Sequence, residues 1–194
     1  AKVVAREKVG ERDTDFSGVI TRIRALNPDA VYYGGEYPVA GPLSAQLAAA
    51  GLNVPLMGGD GIYDPKYITL AGKTSDNDLA TSVGAPVDTL DSAKKFVADY
   101  NAAGYKDPYA AYGGYSFDAA NSIINALKTS LKDASDAESA RQATVDAMSK
   151  VSFDGVTGKV AFDQYGDTTS KVLTVYKVAG GKWATVETKA FEAK

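Results

Sequence analysis

Two hydrophobic rhythms alternate along the chain. Short apolar runs closed by glycine or aspartate are interleaved with stretches in which apolar residues return every three to four positions. The first rhythm suits strands buried in a sheet, the second helices with one apolar face. VVAREKV, residues 3–9, is predicted as a strand. DTDFSGVITRIRALNPD then places Phe16, Val19, Ile20, Ile23 and Leu26 on one helical face, with Thr14 or Asp15 set to cap its start and Pro28 just beyond its end. AVYYGG reads as a buried strand, and GPLSAQLAAAGL as a helix with Pro42 in its first turn and Gly51 as its C-cap. VPLMGG is the next strand, PKYITLAG a short helix and DLATSVGA a further strand. Strand–helix steps of this length imply right-handed crossovers, hence a parallel sheet with helices on its faces. The fold class is α/β, a doubly wound parallel sheet.

From Pro86 the texture changes. SAKKFVADYNAAG, YSFDAANSIINALKTSL and AESARQATVDAMSKV are amphipathic helices with hardly a strand between them. Ile123, Ile124, Leu127 and Leu131 form one apolar stripe, whose plain reading is core packing. The end returns to β: GVTGKVAFDQYGD is a turn, strand and turn, KVLTVYKV is a strand, and GGK leads into a last strand, WATVETK. Helices without a sheet of their own must bury their stripes on something. Either they pack on the first sheet, or their sheet lies outside this chain.

Composition narrows the function. The chain has 194 residues, 45% hydrophobic and 23% charged, enough for one large or two small domains. A net charge of -3 offers no basic field for nucleic acid or an anionic membrane. With no cysteine and no histidine, thiol nucleophiles, Ser-His-Asp catalysis and almost every structural zinc site are excluded. The absence of cysteine fits both cytoplasm and an exported protein that needs no disulfides. No run reaches the roughly 18 apolar residues of a membrane span. The opening AKVVAREKVG carries neither an initiator methionine nor a signal peptide, and suggests a mature or excised C-terminal part of a longer protein.

Chemistry concentrates where two strands end. VPLMGGDG, residues 54–61, presents one carboxylate, Asp60, between glycines. A phosphate cradle needs glycines opening a helix and usually a lysine or arginine, and Asp60 would repel the anion. A calcium loop needs several oxygen ligands at alternating positions, and Asp60 with Asp64 is thin for that. Asp60 closing the strand through an Asx-turn is the plain alternative. The remaining reading rests on position: strand carboxyl ends in open α/β sheets face the binding crevice, where a carboxylate can take charge-assisted bonds from an ammonium group. YYGGEYPVAG makes the same case. Gly34 and Gly35 let a ligand approach the backbone, as Gly59 does in the other loop, and Glu36 and Tyr37 follow. Glu36 facing solvent at the rim, with Tyr37 alone packing on the ligand, is the competing reading. The weaker candidates have structural explanations. Asp163 and Asp167 in FDQYGD fit a β-turn, Trp183 a sheet-face cover, and Lys94, Lys95 and the stretch from Asp133 to Glu138 solvated helix faces.

Taken together, DFSGVITRIRALNPDAVYYGG, the GP-x4-L-x3-GL helix, the strand into MGGDG, DPYAAYGGYSFDAANSIINAL and FDGVTGKVAFDQYGD resemble the C-terminal half of the leucine-isoleucine-valine type (branched-chain amino acid) solute-binding proteins of ABC importers. The resemblance covers nearly all of the chain, and lies in the order and spacing of the motifs. It implies the type I periplasmic-binding fold, two lobes joined by crossing strands. Residues 1–83 would belong to the second lobe, 84–165 to helices of the first, and 166–194 to strands returning to the second. The first lobe's sheet, with serine and threonine contacts to a ligand carboxylate, would be absent. Asp60 sits on the loop whose acidic residue in the family pairs with the ligand's α-ammonium. The position of Glu36 is often aromatic in members that take purely aliphatic amino acids. Its acidity here brings a polar or cationic ligand side chain into play. Tyr112 and Tyr115 would lie near the hinge, although plain packing at a helix start is the favoured reading of both.

The function this implies is non-catalytic. An extracytoplasmic protein, periplasmic or lipid-anchored, captures an amino acid between two lobes and hands it to a membrane permease, with no cofactor, metal or nucleic acid. A ligand-sensing domain on the same fold is the first alternative. An α/β enzyme using Asp60 and Glu36 as acid and base is the second, weakened by the missing histidine, cysteine and GxSxG. Helices deprived of their sheet would also expose apolar stripes, favouring a homodimer or intertwined chains.

Overall fold

The computed structural model describes residues 1–132 and 134–191. In chain order the elements are α1 (Ser17–Arg24), β1 (Val31–Tyr33), α2 (Tyr37–Ala49), β2 (Leu56–Gly58), α3 (Pro65–Ala71), β3 (Leu79–Val83), α4 (Lys94–Ala103), α5 (Gly113–Ser130), α6 (Ala137–Met148), β4 (Ser152–Gly155), β5 (Gly158–Ala161), β6 (Val172–Ala179) and β7 (Lys182–Ala190). A five-stranded sheet runs β1-β2-β3-β6-β7, and β4 pairs with β5 separately. β1, β2 and β3 are parallel, as the strand–helix alternation predicts, and β6 is antiparallel to β3. Contacts divide the chain into two compact units. One comprises Ala1–Val83 with Leu173–Thr188, the other Gly84–Val172 with the chain end from Lys189.

The first unit is built around the large sheet. Phe16, Ile20, Leu43, Leu47, Leu56, Ile62, Tyr67 and Val178 form its buried core. The stripe of α1 delivers Phe16 and Ile20 to it, with Val19 and Ile23 half-buried. Leu26, expected on the same face, is 49% exposed. The helix stops at Arg24, and Asn27 turns left-handed at φ 46°, so Leu26 leaves the helical register. Helix α2 begins at Tyr37, before the predicted start at Gly41. Pro38 occupies the first turn, where a missing N–H removes no helical bond, and Pro42 consequently falls inside the helix. Gly41 lets α3 lie close alongside: a methyl there would meet Leu70 Cβ at 2.6 Å and the Tyr67 carbonyl at 3.2 Å.

Two strand expectations are corrected. Residues 3–9 form no strand, and Val3 and Val4 are exposed. The sheet edges are β1 and β7, and neither takes this segment as a neighbour, so its backbone has no ladder to join. Among the described residues the segment is held by Val9 against the core and by a Glu7–Arg22 ion pair at 2.7 Å. β1, expected to be buried, leaves Tyr32 68% exposed, because side chains alternate across a strand and the middle residue of three points away from its neighbours' face. The β6–β7 hairpin turns on Gly180 and Gly181, at φ 58° and 75°, the positive pair that a tight hairpin of this hand requires. Trp183 packs against Tyr63 and Tyr67, and its Nε1 donates to the Asp64 carbonyl at 3.1 Å.

The second unit holds the three helices and the β4–β5 hairpin. Its buried apolar cluster is small: Val87, Ala93 and Val156, flanked by Phe96, Val97 and Tyr109. Along α5 the residues turned inward are Gly114, Asp118, Ser122, Ala126 and Ser130, a ridge at four-residue spacing. Asp118 accepts from the backbone N–H of Val156 and Thr157, both at 2.8 Å, and from Thr157 Oγ1 at 2.7 Å, which pins the hairpin turn to the helix. Ser130 Oγ meets Thr144 Oγ1 at 2.8 Å, linking α5 to α6. The apolar stripe on the other side does not pack as core: Ile123, Ile124 and Leu131 are about half exposed and Leu127 half-buried. Among the described residues the only sheet of this unit is the two-stranded hairpin, too small to cover the stripe.

The remaining turns follow local chemistry. Asp163 accepts from the N–H groups of Tyr165 and Asp167 at 2.9 and 3.0 Å, the β-turn expected for FDQYGD. The Tyr165 N–H bond, foremost, holds the Asp163 carboxyl below the usual range. Asp136 caps α6 by accepting from Ser139 N at 2.8 Å, and Lys94 and Lys95 form exposed ion pairs with Asp91 and Asp99. Asp133, from the predicted solvated stretch, and residues 192–194 of the C-terminal segment lie outside the described residues.

Candidate functional site

Tyr33 at the end of β1 is in register with Gly58 at the end of β2. The segments that follow, Gly34-Gly35-Glu36 and Gly59-Asp60-Gly61, therefore emerge side by side at the carboxyl ends of two adjacent parallel strands. They come into direct contact. A methyl at Gly61 would lie 2.8 Å from the Gly35 carbonyl oxygen and 3.4 Å from Glu36 Cγ, and one at Gly58 would lie 3.0 Å from the Tyr33 carbonyl. Only glycine lets the two loops approach this closely.

Each loop then enters a helix that holds it. Glu36 is the N-cap residue of α2 and is exposed, its carbonyl accepting from Val39 and Ala40 N–H at 3.3 and 3.1 Å. Tyr37 is half-buried and packs against the core of the first unit. Asp60 is exposed and opens a single 3-10 turn, Asp60–Ile62, closed by Ile62 N–H to the Gly59 carbonyl and Tyr63 N–H to the Asp60 carbonyl. The carboxylate that caps the following helix is that of Asp64, which accepts from Lys66 N at 2.7 Å. Among the described residues no group of three or more acidic side chains is placed to hold a metal ion.

The electrostatics are acidic. Burial raises the pKa of the Tyr33 hydroxyl, and the charges of Glu11 and Glu36 raise it further, placing both carboxylates within electrostatic reach of that phenol. Tyr33 itself lies over Gly35, where a methyl would run into its phenol oxygen. The exposed Tyr32 reaches Gly59: its hydroxyl would stand 4.0 Å from a methyl there. The two loops thus combine two carboxylates, Glu36 and Asp60, with two phenols, a surface suited to hydrogen-bond donors and positive charge. Tyr32, Tyr33 and Gly61 were not singled out from the sequence. Alternation along VYY signals that one tyrosine leaves the core, but not which one.

The other candidates lie elsewhere. Tyr112 is the N-cap residue of α5 and about half exposed, and a methyl at Gly84 would run into the Tyr115 hydroxyl, both residues within the second unit. No helix among the described residues is long and apolar enough to cross a membrane.

Comparison with known proteins finds similarity along most of the chain. Residues 1–182 match the family model described as periplasmic binding protein. A Leu/Ile/Val-binding protein of Rhizobium johnstonii is 28% identical over 95% of this chain and 48% of its own length. The leucine-, isoleucine-, valine-, threonine- and alanine-binding protein of Pseudomonas aeruginosa is 29% identical over 91% of this chain and 45% of its own length. Among solved structures, a leucine-binding protein from Thermotoga maritima superposes with a TM-score of 0.79 at 26% identity, covering 92% of this chain and 49% of that one. The branched-chain amino acid transporter substrate-binding protein of Streptococcus pneumoniae, in complex with isoleucine, gives 0.77 at 27% identity, covering 94% and 51%. This chain spans about half the length of the curated relatives it matches.

Proposed function

This chain belongs to the periplasmic binding protein family, and on that premise we propose that it is part of the extracytoplasmic substrate-binding component of an ABC importer. It captures an amino acid, leaves it chemically unchanged and passes it to a membrane permease. The observation that carries this reading is the meeting of two glycine-flanked acidic loops, Gly34–Glu36 and Gly59–Gly61, at adjacent strand ends. Asp60 receives the α-ammonium group, Gly35 and Gly59 give it access along open backbone, and Glu36 and Tyr37 flank the side chain. The names of the relatives support an amino acid as ligand, branched-chain or related. The acidic Glu36 beside Tyr33 supports a polar or cationic side chain over a purely aliphatic one.

The domain assignment is part of the same proposal. Residues 1–83 and the strands within 166–194 belong to one lobe, and 84–165 supply helices to the other, although contacts group residues 166–172 and the segment from Lys189 with the second unit. That lobe's sheet comes from the portion of the relatives' length that this chain does not span. The exposed stripe of α5 supports this, and also supports self-association of the chain when it is alone.

Calorimetric titration tests the site, using a protein that spans the relatives' full length and a panel of leucine, threonine and arginine. Removing one member of a buried charge pair typically costs about 2–5 kcal/mol, roughly 30- to several-thousand-fold in affinity. Asp60→Asn is expected to weaken every amino acid by that much, and Glu36→Gln to weaken threonine and arginine far more than leucine. Binding by Asp60→Asn within about threefold of the parent would sink the assignment of Asp60, and turnover of any bound amino acid would sink the non-catalytic reading.

A further inference from the structure

Asp78 lies outside the candidate site, at the foot of β3, and is 2% exposed. Its backbone is fastened to the sheet: the Asp78 carbonyl accepts from Val178 N–H, and the preceding Asn77 donates to the Val178 carbonyl, both at 2.9 Å. Asn77 holds a left-handed conformation at φ 78°, which delivers Asp78 into the strand. From there the carboxylate reaches three elements. Oδ1 accepts from Leu56 N–H of β2 at 2.7 Å. Oδ2 accepts from Ser44 Oγ of α2 at 2.7 Å and from the Tyr67 hydroxyl of α3 at 2.6 Å.

These are the elements that carry the two acidic loops. Glu36 immediately precedes α2, and residues 59–64 connect β2 to α3. One carboxylate therefore holds both arms of the Asp60 loop and the helix that follows Glu36 on a single strand of the sheet. Fastening of this kind brings little net stability, because burial penalises the charge that accepts the bonds. Desolvation raises the Asp78 pKa against the opposing effect of its three donors, and well-packed apolar residues in such a place are often as stable or more so. What an apolar cluster lacks is direction: three short hydrogen bonds fix where the elements sit relative to one another.

We propose that Asp78 is a positioning residue for ligand binding, setting the relation between the Glu36 loop and the Asp60 loop through Leu56, Ser44 and Tyr67. This rests on the reading that those loops bind the ligand, but its test does not. Amide hydrogen exchange in the ligand-free intact protein reads the loops directly. Tyr67→Phe deletes one donor and keeps the ring against Trp183. It is expected to raise exchange at Ile62 and Tyr63, whose N–H groups close the 3-10 turn, about tenfold, with the β3–β6 amides unchanged. Asp78→Ala is expected to raise exchange both there and at Val39 and Ala40 by about tenfold or more. Asp78→Asn can offer its carbonyl to Leu56 and its amide to the two hydroxyl oxygens, and should restore protection to within about threefold of the parent. If Asp78→Ala does not fold, Tyr67→Phe and Ser44→Ala still decide. A uniform rise across the whole unit, or no rise beyond about twofold in either hydroxyl variant, overturns the proposal. Loosened loops in a protein that binds none of leucine, threonine and arginine would instead count against the binding reading, and leave the positioning role standing.

Discussion

Helix α1 in the first unit turns Phe16 and Ile20 into a core, whereas α5 in the second turns Gly114, Asp118, Ser122, Ala126 and Ser130 inward and leaves Ile123, Ile124 and Leu131 facing water. Both helices are amphipathic in sequence, so the helical pattern does not account for the difference. Their surroundings do. α1 belongs to a unit organised on five strands, while among the described residues α5 has no sheet in its own unit beyond the β4–β5 hairpin, attached through the Asp118 carboxylate. An apolar stripe announces that a helix is buried against something. It does not announce that the something lies in the same stretch of chain. The two buried carboxylates follow the same division. Asp78 braces elements that already share a core, and Asp118 supplies by hydrogen bonds the cohesion that a small apolar cluster does not.

The sharpest way to break this contrast is to cut each unit where its cohesion is said to lie. Phe16→Ala empties a fully buried site in the first unit and is expected to cost about 3–5 kcal/mol in urea unfolding followed by Trp183 fluorescence. A loss below about 1 kcal/mol would show that the sheet-centred core is not what holds that unit. In the second unit, Asp118→Ala leaves the N–H groups of Val156 and Thr157 without their acceptor. The expected cost is about 1–3 kcal/mol, seen as loss of amide protection confined to the hairpin turn. Unchanged protection there would mean that the hairpin holds without the helix. The smallest effect is the most telling. Ile124→Ala is expected to change the stability of this chain by no more than about 0.5 kcal/mol, since the side chain is half in water. In a protein spanning the full length of the relatives, the same change should cost about 2–5 kcal/mol. Equally small effects in both would refute the proposal that another sheet covers α5.

Much of the local structure was legible along the chain. The apolar periods of α1, α3, α5 and α6, the glycine pair at the β6–β7 turn, the aspartate turn at Asp163 and the strands ending on Gly34 and Gly59 all follow from interactions within a few residues, and all are found near their expected places. The misplaced start of α2 is also local, since Pro38 and Pro42 both suit a first turn and only the earlier one occupies it. Other features had no local signature. Residues 3–9 have the composition of a strand, but a strand needs a neighbour to take its backbone bonds, and no neighbour is written into the segment. The core-facing ridge of α5 is small and polar because it meets a hairpin turn 39 residues further on, at Thr157. Asp78 reads as an ordinary polar residue at the start of a strand, and nothing nearby indicates that it receives a hydroxyl from Ser44, 34 residues earlier. The same holds for the candidate site. Asp60 and Glu36 each stand out at a strand end, but only the register of β1 on β2 brings Gly61 against the Gly35 carbonyl and makes one mouth of two loops. Helix periods, caps and turns are decided by groups within about four positions of one another, whereas pairing, burial and the meeting of loops are decided by groups that are distant along the chain and become neighbours only when it folds.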